Sequence, residues 1–192
     1  MTTSPLSYLA IDPGRKMGWA CCLAGGDRLE YGTWKFAQAD HGEAYAAFAK
    51  QFGSILAGWP DMQVGMEMLT IVTHEDDSGK GHVDAEQVGF SAGWQAIVKT
   101  KCFVAKARAP EMIAISSWRS KTHRKTRAPI GVKNSTGWLK QQAFDYCARS
   151  GWTPDSDNAA EALCMLDYLR ILHEPDYAFD RGHSFQQERL FA

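Results

Sequence analysis

The sequence has no apolar run approaching the length of a membrane span, and Met1-Thr2-Thr3-Ser4-Pro5 is not a basic segment followed by an apolar one. Neither a spanning helix nor a secretory signal is therefore expected, and the reading is a cytoplasmic protein with no membrane partner. Cys-x-x-Cys spacing is also missing, and the five cysteines (Cys21, Cys22, Cys102, Cys147, Cys164) are odd in number and fall mostly inside apolar segments. That pattern argues against a zinc site or a disulfide framework and for reduced core thiols. There is no internal repeat, low-complexity stretch or dividing linker, so residues 1–192 read as one domain, with a core over about 7–172 and a carboxyl-terminal tail over 173–192. With 45% hydrophobic and 11% aromatic residues, such a chain can bury a real core.

Net charge is nearly absent as well, at −1, but its distribution is uneven. From Lys99 to Lys140 the only acid is Glu111, against eleven lysines and arginines, more than half of the 21 in the chain. A cationic segment in an otherwise acidic chain is the footprint of a polyanion partner. Its densest part, Trp118, Arg119, Lys121, Arg124, Lys125, Arg127 and Lys133, is the candidate phosphate-binding surface.

What is present begins with Tyr8-Leu9-Ala10-Ile11-Asp12-Pro13-Gly14, a strand too apolar to lie outside that runs into a carboxylate and a forced turn. Asp12 there caps the turn through its own backbone or serves a site. Met17 to Leu23 and Arg28 to Phe36 read as two further antiparallel strands joined through Ala24-Gly25-Gly26-Asp27. Asp40 and Glu43 have capping-box spacing before a helix whose apolar face is Ala44, Phe48, Phe52 and Ile55. Met62 to Met68 follows as a strand ending near a second acid, Glu67.

Residues 70–83 are polar and read as a mobile loop in which His74 and His82 have no regular structure to fix them. Asp84 with Gln87 caps a helix from Ala85 to about Lys101, Glu111 to Ser117 reads as a fifth strand, and 118–132 as an irregular basic stretch. Ser135 opens a helix ending at Gly151, with Trp138, Leu139, Ala143, Tyr146 and Cys147 on its core face. A last helix, Asp157 to Leu172, is apolar almost all round and so buried. Strands interleaved with helices imply an α/β fold, a mixed five-stranded sheet covered on both faces.

Acids thus stand at three places where the pattern says core: Asp12, Glu67, and the pair Asp157 and Glu161 on one face of the last helix. Convergent carboxylates are tolerated when divalent cations neutralise them, and such ions clamp a phosphodiester for attack by water. Asp12-Pro13-Gly14-x-x-x-Gly18-Trp19, Val64-Gly65-Met66-Glu67, Ser117-Trp118-Arg119-Ser120-Lys121 and Asp157-Asn158-Ala159-Ala160-Glu161-Ala162-Leu163 resemble the RuvC-like Holliday junction resolvases over Tyr8 to about Leu172.

The resemblance implies an RNase H-like fold, a homodimer, and Mg²⁺- or Mn²⁺-dependent nicking of opposed strands of a four-way DNA junction, leaving 5′-phosphate ends. It implies Asp12, Glu67, Asp157 and Glu161 as catalytic metal ligands. Asn158 stands where bacterial members commonly carry an acid, whereas many phage-type members use the position of Asp157; the alternative for Asp157 is a helix cap. A catalytically inactive branched-DNA-binding module of the same fold is the other reading. Near the end, Gln187, Leu190 and Phe191 resemble the short peptides by which bacterial DNA-processing enzymes dock on the sliding clamp, while packing of Leu190 and Phe191 on their own domain is the plainer expectation.

Overall fold

A computed structural model describes residues 6–24, 28–36, 40–68, 73–75, 81–83 and 85–182. The central strand β1 (Tyr8–Asp12) pairs antiparallel with β2 (Lys16–Cys22), which pairs antiparallel with β3 (Leu29–Lys35). On its other side β1 is parallel to β4 (Gln63–Glu67), and β4 to the short β7 (Glu111–Ile113). The sheet order is β3-β2-β1-β4-β7, the mixed five-stranded sheet expected.

The apolar run of β1 serves two cores. Tyr8 and Ala10 pack with α4 (Ser135–Arg149) and α5 (Asp157–His173), while Leu9 and Ile11 pack with α1 (His41–Gly58) and α2 (Ala85–Val104). Alternating side chains of a central strand point to opposite faces, so a strand covered on both sides must be apolar throughout. Asp40 and Glu43 close the expected capping box on α1, whose buried face is Ala44, Phe48, Phe52 and Leu56. Leu56, at an unbroken spacing of four, takes the place expected of Ile55, which is only partly buried.

Several sequence expectations are corrected. Residues 73–75 and 81–83 are not loop but a two-stranded hairpin, β5 (Thr73–Glu75) and β6 (Gly81–Val83), whose backbone register sets His74 opposite His82. The fifth strand is only three residues long, because β7 pairs with β4 solely from Glu111 to Ile113. Past it, Ile115, Trp118 and Thr122 recur at helical spacing and form one side of α3 (Ile115–Thr122), in which Trp118 and Thr122 are buried. Asn134, not Ser135, caps α4, accepting from the Gly137 N–H. On α4 only Ala143 and Cys147 are fully buried. Residues 175–180, expected in a tail, form α6 (Pro175–Asp180), which packs on α5. The Asp84 cap and the Gln187, Leu190 and Phe191 peptide lie outside the described residues.

All five cysteines are buried, and none forms a disulfide. Among the described residues no helix is long and apolar enough to cross a membrane.

Candidate active site

Two of the acids are brought together by strand register alone. Ile11 pairs with Met66 across the parallel strands β1 and β4, and the next residue of each strand is Asp12 and Glu67. By the two-residue period Asp12 shares the face of Tyr8 and Ala10, the face that α5 covers. Glu161, in the second turn of α5 and only 7% exposed, completes the group.

The placement of α5 depends on small residues and one cap. Gly18, opposite Asp12 in β2, lies so close to α5 that a Cβ on it would stand 2.0 Å from the carbonyl oxygen of Asn158. Ser156 is the N-cap, its hydroxyl accepting from the Ala159 N–H at 3.2 Å, and it is held to β3 by a 2.6 Å hydrogen bond with the Thr33 hydroxyl. Asp157 is therefore the first residue of the helix and not its cap.

Few donors meet these acids. The Trp118 indole N–H donates to Glu67 Oε2 at 3.1 Å, and Arg119 donates from Nη2 to Glu161 Oε1 at 2.7 Å. Arg119 Nε, buried, has no hydrogen-bond partner among the described residues. Asp157 is ion-paired with Lys140 of α4, whose charge also reaches Glu161 and Asp12. That hydrogen bond from Lys140 holds the Asp157 carboxyl below its ordinary range. Burial, then Glu67, then Glu161 push Asp12 well above the usual carboxylate range, against the pull of Lys140 and Arg119. Burial likewise raises Glu67 to about 7, Glu161 adding to it and the Trp118 hydrogen bond opposing. Asp12, Glu67 and Glu161 thus form one electrostatic unit with more negative charge than its neighbours neutralise.

Asp167 shows what a satisfied buried acid looks like. It is 1% exposed on the same helix, yet it accepts from the Tyr146 and Tyr177 hydroxyls and from Arg181 Nε at 3.1 Å. Nothing in its sequence context distinguishes it from Glu161; only the donors delivered by α4 and α6 do.

The raised acids give a pH signature. Folded Glu67 keeps its proton up to about 7, against an ordinary value of 4.5, so across that window the folded chain binds more protons than the unfolded one. Stability from this group is complete below the lower value and is lost as pH rises through the upper. The thermal midpoint of the chain without added cations should fall between about pH 5 and about pH 8, and Glu67→Gln should flatten that fall. A decline of equal size in the variant would contradict the assignment.

Of the candidate phosphate-binding residues, Lys121, Arg124, Lys125, Arg127 and Lys133 are exposed. Trp118 is a correction: it is fully buried beneath α3, its indole spent on Glu67, so its face is closed to DNA. Arg119 is turned inward, its side chain 13% exposed and paired with Glu161. Sequence reasoning missed Lys140 as the partner of Asp157, and Gly18, Thr33 and Ser156 as the residues that seat α5. Gly18 was visible in the motif but its reason was not, and no local signal links Thr33 to a residue 123 positions away.

Among the described residues no three His, Cys, Asp or Glu side chains are gathered as they stand to hold a metal ion. Arg119 and Trp118 engage two of the carboxylates instead.

A mixed sheet of this order, covered by helices on both faces and carrying acids at the ends of two central strands, is an RNase H-like fold. It is shared with Thermus thermophilus RuvC at a TM-score of 0.51 and 15% sequence identity, over 84% of this chain and 90% of that one. It is likewise similar to T. thermophilus RuvC in complex with Holliday junction substrate, at a TM-score of 0.52 and 14% identity, over the same shares of the two chains. No family model matches the sequence, and no curated protein matches it in sequence.

Proposed function

We propose that the chain is a structure-specific endodeoxyribonuclease that hydrolyses phosphodiesters in four-way (Holliday) junctions or related branched DNA. The observation that carries this reading is the convergence of Asp12, Glu67 and Glu161 from three separate elements on one end of the sheet, in a fold shared with a protein solved on such a junction. The donor set fits a hard divalent cation: carboxylate oxygens only, mutually repelling, with Asp12 and Glu67 raised in proton affinity, a state that bound Mg²⁺ or Mn²⁺ would relieve. Asp12, Glu67 and Glu161 would hold it, with Asp157 joining if it leaves Lys140. When bound, such ions make water a nucleophile near neutral pH and polarise the phosphoryl oxygens.

The protein's own part is positional. Asp12 and Glu67 are fixed by backbone pairing and Glu161 by the seating of α5, so the three acids present a rigid oxygen surface. Arg119 and Lys140 stand beside the acids and supply positive charge where a phosphate would approach. Products with 5′-phosphate ends, and a homodimer that presents two such sites to opposed strands, belong to the same proposal. So does a tail whose Gln187, Leu190 and Phe191 dock on a sliding clamp.

The exposed cations Arg124, Lys125 and Arg127 hold the DNA backbone in this reading. Replacing all three by Ala should weaken junction binding and reduce its log–log salt slope by roughly 0.9 for each phosphate no longer neutralised. An unchanged slope in a folded variant would remove this surface from the binding site.

A further inference from the structure

At its far end α3 leaves the acids and runs into a second cationic feature. His123, its C-cap, together with Lys121, Arg124, Arg149 and Arg181, lines a hollow of about 400 Å³ whose one lining acid is Asp180. Arg181 is already engaged by Asp167 at 3.0 Å and by the Ser150 hydroxyl at 2.9 Å. Among the described residues no carboxylate is paired with Lys121, Arg124 or Arg149; Arg149 only lies over the Tyr146 ring, 5.9 Å from its centroid. Arg124 is held at φ 56°, a left-handed conformation that disfavours any residue with a Cβ and clusters at ligand clamps.

The same hollow holds a buried orphan. The Thr122 hydroxyl donates to the Trp118 carbonyl at 2.9 Å, so its oxygen accepts from His123 Nδ1 at 3.1 Å. His123 Nε2, on the other side of the ring, is buried with no hydrogen-bond partner among the described residues. We propose that this hollow binds a phosphate of the DNA backbone, with Arg124 and Arg149 as its donors and His123 Nε2 joining them when the ring is protonated, as an anchor separate from the carboxylate site. The proposal rests on the reading above for the source of the phosphate.

The charges around His123 fit an anion-linked proton. Burial, then Arg119, then Arg149 push its imidazole down to about 4, with the Trp118 ring edge-on at 5.4 Å and Tyr146 at 6.4 Å contributing no charge. A bound phosphate offsets both guanidinium groups and accepts from Nε2 once that atom carries a proton. α3, α4 and α6 all end at the hollow, and their carbonyl ends oppose an anion; the full charges of Lys121, Arg124 and Arg149, which pair with no carboxylate among the described residues, outweigh these partial charges.

The test has two arms on the full chain. In the first, the His123 ring is followed by NMR while inorganic phosphate is added to tens of millimolar, with no DNA present. Its pKa should rise by about one unit, and Arg124→Gly with Arg149→Gln should remove that response; glycine at position 124 suits the backbone already there. In the second arm, the same double variant should lose about 0.9 of log–log salt slope in duplex binding for each phosphate it no longer holds. A His123 ring unmoved by phosphate overturns the pocket. A response to phosphate with an unchanged duplex slope overturns its assignment to the DNA backbone. Because the first arm uses neither DNA nor cleavage, failure of the nuclease reading leaves it independently decidable.

Discussion

Asp12→Asn should lower junction cleavage by on the order of a thousandfold or more, about 4 kcal/mol of barrier, while junction binding survives or tightens. The amide keeps the shape of the carboxyl and removes its charge. Asp12 feels both Glu67 and Glu161, and Glu67 feels Glu161 in turn, so the three act as a unit. Losing one negative charge from a surface that receives phosphates favours binding even as it disables the site. Glu67→Gln and Glu161→Gln should move in the same direction. Asp157→Asn is the sharper comparison, since Asp157 is neutralised by Lys140. An effect of less than a few fold there would leave it a partner of Lys140 alone, and an Asp12→Asn protein that cut at the normal rate would end the assignment of the site.

Gly18→Ala should be nearly as damaging without touching any acid. The added Cβ would stand 2.0 Å from the Asn158 carbonyl oxygen and 2.4 Å from its carbonyl carbon, both backbone atoms of the first turn of α5. No rotamer relieves such a contact, so the helix start must shift, carrying Asp157 and Glu161 with it. Overpacking of this kind costs about 1–3 kcal/mol. A displacement of about 1 Å at the site should lower cleavage roughly a hundredfold in protein that remains folded. Gly14→Ala is the control from the same motif, because its Cβ would meet nothing closer than 3.5 Å. Thermal midpoints and single-turnover rates of the two variants check this, and a Gly18→Ala protein as stable and active as Gly14→Ala would contradict it.

The sheet was legible where one residue pattern had one physical meaning. Tyr8 to Ile11 had to be a central strand, and Ala159 to Leu166 a buried helix, because apolar residues on every side leave no face for solvent. Asp12, Glu67 and Glu161 were legible for the converse reason: a carboxylate in such a setting needs compensation. What stayed hidden was set by contacts between distant segments. Ala114 and Ile115 continued the apolar run of Met112 and Ile113 and carried the strand reading on to Ser117, though only three residues of β7 find partners on β4. Trp118 beside five nearby cations read as part of the phosphate-binding surface, yet its indole serves Glu67 from inside the core. His74 and His82 lacked any local signal for the hairpin that pairs them, since neither flank alternates. Lys140 carried no mark that set it apart from the other lysines of its segment.

Whether this group of acids cuts branched DNA is decided by incubating the purified chain with an end-labelled four-way junction, with and without Mg²⁺, and treating the products with DNA ligase. Paired nicks in opposed strands are expected only when Mg²⁺ is present, and ligase should seal the nicked arms because they carry 5′-phosphate and 3′-hydroxyl ends. A junction bound but left intact in both Mg²⁺ and Mn²⁺ would refute the nuclease and make the chain a branched-DNA-binding module of the same fold.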